Sequence, residues 1–210
     1  DADNNVALGV EALTSNQLGS SSVAIGTGAL ANQNPSSAAS MLNVAVGQDA
    51  GVSVTTGVQN TLIGALAGDA LLAAADNVAV GFEALSTETG GQNNVAVGPR
   101  ALKAQVSSSG NIYNTAVGAN AGTAVTSGVQ NTLIGGLTGD ALTSGHSNVA
   151  LGYVALSTDT LGFSSTAIGF QSLANQNFTT ATNTFNVAVG HNAGVNVTTG
   201  VENTLIGGLA

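Results

Sequence analysis

The stretch Asn43-Val44-Ala45-Val46-Gly47 is followed along the chain by Asn60-Thr61-Leu62-Ile63-Gly64. This phrase, a polar residue, Val or Thr, usually Ala, an aliphatic residue and Gly, occurs twelve times in 210 residues. We call its last residue the closing glycine and number other positions from it. The closing glycines are Gly9, Gly26, Gly47, Gly64, Gly81, Gly98, Gly118, Gly135, Gly152, Gly169, Gly190 and Gly207. Eight of the eleven intervals are 17 residues, and such a period is typical of a solenoid in which each repeat forms one coil.

Alternation within the phrase predicts a short β-strand in every coil. Position −1 is always Val, Ile or Leu and position −3 is always Val or Thr, so we expect both to line the interior. Position −2, which is Ala except at Leu62, Leu133 and Leu205, would then lie on a small, flat outer face. A second strand is predicted at Val52-Ser53-Val54 and at its equivalents 123–125 and 195–197. The fold class is therefore all-β, a parallel β-roll of about twelve coils.

The polar residue of the phrase, position −4, is Asn in ten coils and Ser at Ser22 and Ser165. Stacked in register, asparagine side chains can form a ladder in which each amide donates to the carbonyl of its neighbour. A row of ligand-binding amides is the alternative. The expected ladder residues are Asn5, Asn43, Asn60, Asn77, Asn94, Asn114, Asn131, Asn148, Asn186 and Asn203.

A longer repeat of four coils is superimposed on the short one. Position +4 reads Leu, Leu, Gly, Gly through successive coils, and the sequence GVQNTLIG at residues 57–64 returns at 128–135 and, as GVENTLIG, at 200–207. The super-repeats span about 1–72, 73–143 and 144–210, within one repeat rod 1–210. Because the sequence starts and stops within repeats that show no polar cap, we expect it to be a segment of a longer fibre.

Each super-repeat contains one long coil, with intervals of 21, 20 and 21 residues. The extra residues lie in Ala31–Leu42, Lys103–Tyr113 and Ala174–Phe185, and insertions in a solenoid commonly form loops on the binding face. We expect deletion of residues 33–40 to leave the fold intact but to change attachment. The alternative is that the loops cover a seam or clamp a neighbouring chain through Leu42, Tyr113 and Phe185. The candidate surface contacts are Gln33, Pro35, Gln105, Ser108, Gln176 and Phe178.

Composition argues against several classes of function. The net charge is −9 with two basic residues, Arg100 and Lys103, so no basic patch for nucleic acid can form. The chain has no cysteine, and its longest apolar run is far shorter than the roughly 20 residues of a membrane span. We therefore expect neither nucleic-acid binding nor membrane insertion by this segment.

Catalysis and cofactor binding are also not expected. His146 and His191 lie in different coils without an acid and a nucleophile beside them in the sequence. The acidic residues are scattered singly, so no carboxylate pair of a glycosidase is evident. The glycine-aspartate nonapeptides of calcium-binding rolls are absent. We expect no enzyme activity, no cofactor and no metal.

The phrase Ser22-Val23-Ala24-Ile25-Gly26 and its relatives at 43–47 and 77–81 resemble the head repeat of YadA-like trimeric autotransporter adhesins. They are also similar to repeats of bacteriophage tail fibres. The resemblance covers essentially the whole chain. It implies a left-handed parallel β-roll and a homotrimer whose three copies pack about an axis through small flat faces. Coils of 17 residues depart from the usual repeat of about 14 in the adhesin heads, so the outer half of each coil must be larger.

Under this resemblance, position −2 would line the trimer axis, since only small side chains allow three chains to approach closely. The expected axis residues are Ala7, Ala24, Ala45, Leu62, Ala79, Ala96, Ala116, Leu133, Ala150, Ala167, Ala188 and Leu205.

The sequence thus predicts a structural and adhesive segment of an extracellular, cell-surface or virion-surface trimeric fibre. Its partners would be copies of itself and a cell-surface glycan or protein receptor. Two alternatives stay open at this point. The first is a purely structural filament or spacer, and the second is a monomeric solenoid that binds a flat surface such as ice.

Overall fold

The computed structural model describes residues 2–210, and within them every regular element is a β-strand. The chain folds into two compact units, each a parallel β-solenoid of six coils. The first unit runs to Arg100 and includes Val106–Asn111, and the second comprises Ala101–Gln105 and Ile112–Ala210. The predicted solenoid with coils of about 17 residues is confirmed.

One three-residue strand per coil forms the main sheet of each unit. In the first unit these strands are Val6–Leu8, Val23–Ile25, Val44–Val46, Thr61–Ile63, Val78–Val80 and Val95–Val97. In the second they are Thr115–Val117, Thr132–Ile134, Val149–Leu151, Thr166–Ile168, Val187–Val189 and Thr204–Ile206. Neighbouring strands within each unit pair in parallel with repeats in register, so that Ala7 pairs with Ala24 and Thr132 with Val149.

The interior of the coil is the reverse of the one predicted. Position −2 is fully buried in ten coils, whereas positions −3 and −1 are half-buried or exposed in all twelve. The exceptions at −2 are Ala7 and Leu205, in the first and last coils. The proposal that Ala7, Ala24, Ala45, Leu62, Ala79, Ala96, Ala116, Leu133, Ala150, Ala167, Ala188 and Leu205 line a trimer axis is therefore wrong. The interior at −2 takes alanine, or leucine where position +4 is glycine, while the Val, Thr, Ile and Leu side chains of −3 and −1 point outward.

The closing glycines allow the coils to stack closely. Their φ angles lie between 127° and 142°, a region that strongly favours glycine. A Cβ on Gly152 would lie 2.3 Å from the carbonyl oxygen of Gly169 in the next coil. Backbone therefore contacts backbone at this corner of each coil, and no other residue type fits there.

Interior volume is balanced between positions −2 and +4. Where −2 is Leu62 or Leu133, position +4 is glycine in the same coil and in the preceding one, and elsewhere +4 is usually a buried leucine. A Cβ on Gly51 or Gly68 would lie 2.6 or 2.7 Å from a methyl group of Leu62. The four-coil super-repeat is thus a packing pattern in which large and small residues alternate between two interior columns.

The second strand of each coil differs from the prediction. Residues 52–54, 123–125 and 195–197 form turns, bends or irregular backbone instead of strands. Two-residue parallel pairs occur instead beside the insertions. They join Gly19–Ser20 to Ala39–Ser40, Gly91–Gln92 to Gly110–Asn111, and Gly162–Phe163 to Thr182–Asn183.

The volume balance predicts a double-mutant rescue. A Cβ on Gly122 would lie 2.7 Å from Leu133 Cδ1, so Gly122→Ala is expected to cost about 1–3 kcal/mol by overpacking. Gly122 has a φ of 58°, and a residue other than glycine pays for this conformation in either background. In a Leu133→Ala background the same change is expected to cost about 1 kcal/mol less, because the overlap with Leu133 is removed. Equilibrium unfolding of the four proteins measures both values, and equal costs in the two backgrounds would contradict the balance.

Candidate functional site

A ladder of asparagine side chains runs inside each unit at position −4. Asn60 Nδ2 donates to Asn43 Oδ1 at 3.2 Å and to the carbonyl of Ala74 at 2.8 Å. Asn60 Oδ1 accepts from both the backbone N–H and the Nδ2 of Asn77. The pattern recurs through Asn131 and Asn148 in the second unit. The side-chain amides of Asn60 and Asn131 make four hydrogen bonds each and that of Asn148 makes three, so these asparagines bond one another and are not free to bind a ligand.

Glutamines at position +7 extend the ladder through the three long coils. Asn43 Nδ2 donates to Gln33 Oε1 at 2.9 Å, and Asn114 and Asn186 donate in the same way to Gln105 and Gln176. All three glutamines are buried. Ser22 Oγ also donates to Gln33 Oε1. The serine at −4 in that coil is therefore compatible with the ladder, because the glutamine supplies the missing carboxamide.

Five of the six candidate surface contacts are consequently wrong. Gln33, Pro35, Gln105, Gln176 and Phe178 are buried, and only Ser108 is exposed. The exposed tips of the three loops are residues 36–38, 108–111 and 179–181. Polar composition placed the glutamines on the surface, but their recurrence at position +7 was the signal of an interior role. Deletion of residues 33–40 would remove Gln33 from the ladder, which argues against the expectation that this deletion leaves the fold intact.

Two fully buried carboxylates lie one coil before the second and third loops. Glu88 Oε1 accepts backbone N–H groups of Thr89, Gly90, Gly91 and, in the loop, Ser107. Hydrogen bonds to several N–H groups compensate the ion for its loss of water. The carboxylate thus fastens the loop to the preceding coil.

Asp159 holds the third loop in the same way. Its Oδ1 accepts from the N–H groups of Gly162 and Phe178, and its Oδ2 accepts from Gln176 Nε2 at 2.6 Å. Gln176 Nε2 also donates to Ser165 Oγ at 2.8 Å. This cluster therefore has a partner for every polar group that faces the loop.

The first super-repeat has Asn16 at the place of these two acids. Asn16 bonds both backbone groups of Gly19, its Nδ2 donating to the carbonyl and its Oδ1 accepting from the N–H. Gln33 Nε2 is left buried without a hydrogen-bond partner. A Cβ on Gly19 would lie within 3.1 Å of both Asn16 Oδ1 and Gln33 Nε2, so both side chains lie beside Gly19.

This contrast predicts unequal effects of two reciprocal changes. Asp159→Asn turns an acceptor facing Gln176 Nε2 into a competing donor, and is expected to cost about 1–3 kcal/mol. Asn16→Asp removes the Nδ2 donor to the Gly19 carbonyl but frees a carboxylate oxygen to accept from Gln33 Nε2, so the free energy of unfolding is expected to change by less than about 1 kcal/mol. Urea unfolding at neutral pH measures both. A loss in Asn16→Asp as large as that in Asp159→Asn would contradict this account of the first loop.

The main accessible feature is the apolar outer face of each main sheet, made by positions −3 and −1 with the flanking positions −5 and +1. Fourteen of the eighteen exposed large apolar side chains lie at these positions. In the first unit they are Val6, Leu8, Val10, Leu42, Ile63 and Phe82. In the second they are Tyr113, Ile134, Val149, Leu151, Tyr153, Phe170, Phe185 and Ile206. Contiguous apolar surface of this kind marks an interaction site.

Aromatic rings stack along the edge of this face in the second unit. Tyr153, Phe170 and His191 occupy position +1 of successive coils, with ring centroids 6.0 and 5.1 Å apart. The rings lie within 12–21° of parallel, so each covers its neighbour's face. The stack exposes ring edges and adds apolar surface beside position −1.

Charge is excluded from the centre of the apolar outer face. No residue at −3 or −1 is charged in any coil. A salt bridge joins Arg100 to Glu83 at 3.2 Å, beside the face at position +2, and Arg100 also lies over the Phe82 ring. Two copies of this acidic chain could therefore approach through this face with little charge repulsion.

A partly buried carboxylate in the second unit offers a test through pH. Loss of solvation raises the pKa of Asp140 above the ordinary value of 3.8, and Asp140 Oδ1 is buried without a partner. The Asp140 carboxyl therefore binds its proton more tightly in the folded chain than in the unfolded chain. As the pH rises from 3.8 through the folded pKa, ionisation of this carboxyl lowers the free energy of unfolding.

Asp140→Asn is expected to raise the melting temperature at pH 7 by a small amount, since the side chain stays partly solvated. The gain should shrink as the pH falls toward 3.8, where the unfolded carboxyl also protonates. Asp76→Asn, at an exposed aspartate, is the control. A constant gain at every pH would show that the charge is not its origin.

Among residues 2–210 no cluster of three or more His, Cys, Asp or Glu could hold a metal ion, and no helix is long and apolar enough to cross a membrane. No family model, curated protein or solved structure matches this chain.

Proposed function

We propose that this chain is a structural and adhesive segment of an extracellular or virion-surface homotrimeric fibre, in which copies associate through their apolar outer faces. The observation that carries the proposal is the concentration of exposed apolar side chains on that face. A single chain gains nothing from exposing them, whereas association removes them from water at roughly 25 cal/mol per Å². The small-residue column at −2 is not involved.

The interior supports a fibre role. Each coil is joined to its neighbours by parallel strand pairing and by the asparagine ladder, so the solenoid resists local opening. The six strands of one unit, spaced by 4.7–4.9 Å, extend over roughly 24 Å. A spacer needs only this rigid stack and its outer face.

The adhesive role is assigned to the loop tips at residues 36–38, 108–111 and 179–181. These tips carry hydroxyl and amide groups and no charge, which suits hydrogen bonding to a neutral cell-surface glycan or protein receptor. Repetition of weak contacts on an oligomer raises the overall affinity. The flat-surface alternative is less favoured, because the −1 column contains no hydroxyl group in any coil.

Light scattering of the 210-residue chain tests the association. We expect a mass of about three times 20.2 kDa. Ile63→Lys with Ile134→Lys places two charges on the apolar outer face at side chains that are already exposed, and is expected to give a mass near 20.2 kDa with the fold retained by circular dichroism. Leu72→Lys, an exposed apolar residue away from the face, is the matched control and should remain trimeric. A wild-type chain of about 20.2 kDa at all concentrations would contradict the proposal.

A further inference from the structure

We propose that Leu42, Tyr113 and Phe185 are contact residues between copies of this chain. The inference rests on the proposed function, because it names the side chains that anchor the association of the apolar outer faces. The three residues occupy position −5 of the coil that follows each insertion, four coils apart along the chain.

Backbone conformation makes these residue types unexpected at −5. Every residue at this position has a φ between 49° and 62°, a left-handed conformation that asparagine and aspartate tolerate best. In the other nine coils the residue is polar: Asn4, Ser21, Gln59, Asp76, Asn93, Gln130, Ser147, Ser164 and Glu202. Leucine adopts a similar φ at position +4 of six coils, but there its side chain is buried in the interior. At position −5, only the coils after the insertions carry Leu, Tyr or Phe, and there the side chains are half exposed.

Packing within one chain does not explain them either. Leu42, Tyr113 and Phe185 are 50%, 51% and 54% exposed. The residue before each one, Met41, Ile112 or Thr184, is buried and already anchors the end of the loop. A large apolar side chain that is both conformationally strained and half in water is unfavourable for the isolated chain, which points to a contact outside it.

A second copy of the chain is the occupant that fits best. Position −5 flanks the −3 column, so the three side chains continue the surface assigned to association. That surface is uncharged at −3 and −1, while the chain carries a net charge of −9, so it is the face through which like-charged copies approach most easily. In a symmetric assembly of identical copies, each of these anchors meets the same surroundings in every copy.

The test replaces all three anchors by the residue found at −5 in ordinary coils, as Leu42→Asn, Tyr113→Asn and Phe185→Asn in one chain. Asparagine tolerates the left-handed conformation well, so the stability of the single chain should equal or exceed that of the wild type. The trimer should dissociate at concentrations at least about 100-fold higher than those at which the wild type dissociates, because buried aromatic and aliphatic anchors dominate association energy. The matched control is Gln59→Asn with Gln130→Asn, polar changes at the same position, which should leave association unchanged.

Light scattering across a dilution series, combined with thermal unfolding at low concentration, separates the outcomes. Weaker association with unchanged or higher single-chain stability supports the contact. Association as tight as that of the wild type overturns it, and so does loss of single-chain stability, which would make the three residues clamps within the chain. A wild-type chain that is monomeric at every concentration refutes the proposed function itself, whereas a trimeric wild type with an equally trimeric variant refutes only this inference.

Discussion

Close approach of successive coils is the constraint on which the rest of the structure depends. At the closing glycines a single added Cβ would overlap the carbonyl group of the next coil, as at Gly81 and Gly152. With so little separation, buried polar groups find partners in the next coil and not in water. The asparagine ladder follows directly, because an amide that both donates and accepts along the stacking direction can repeat without leaving an orphan.

The same constraint explains why the sequence predicts the architecture well and the orientation of the strand badly. The period of the closing glycine is visible without any structure and establishes the coils and their stacking. Alternation, however, only shows that −2 faces away from −3 and −1. Hydrophobicity then favours −3 and −1, which carry the larger residues, as the interior positions. In the folded coil side-chain size outweighs hydrophobicity, and the alanine at −2 is buried. The usable signal was volume: leucine replaces alanine at −2 only where +4 is glycine, as in Leu62 with Gly68, and such compensation is needed only inside.

The loops show a second limit of sequence reasoning. Length and polarity identify the insertions correctly, yet they do not separate residues that face water from residues that satisfy the interior. Gln176 and Asp159 are polar because the ladder and the loop need an acceptor and a donor at that point. The glutamine differs from surface residues in recurring at position +7 of every long coil. In the first long coil the glutamine recurs as well, but its Nε2 beside Asn16 has no hydrogen-bond partner.

The residues of the interior and those of the outer face thus meet different requirements. The interior volumes compensate one another and the ladder asparagines bond to neighbouring coils, so folding places few demands on positions −3 and −1 beyond strand formation. Threonine would satisfy those demands as well as valine, and it does occur at −3, but never at −1, where all twelve residues are aliphatic. Since folding does not require aliphatic residues at −1, we attribute this preference to what the surface contacts. For that reason the aliphatic −1 column, and not the alanine column that first suggested an axis, is the stronger argument for association between copies.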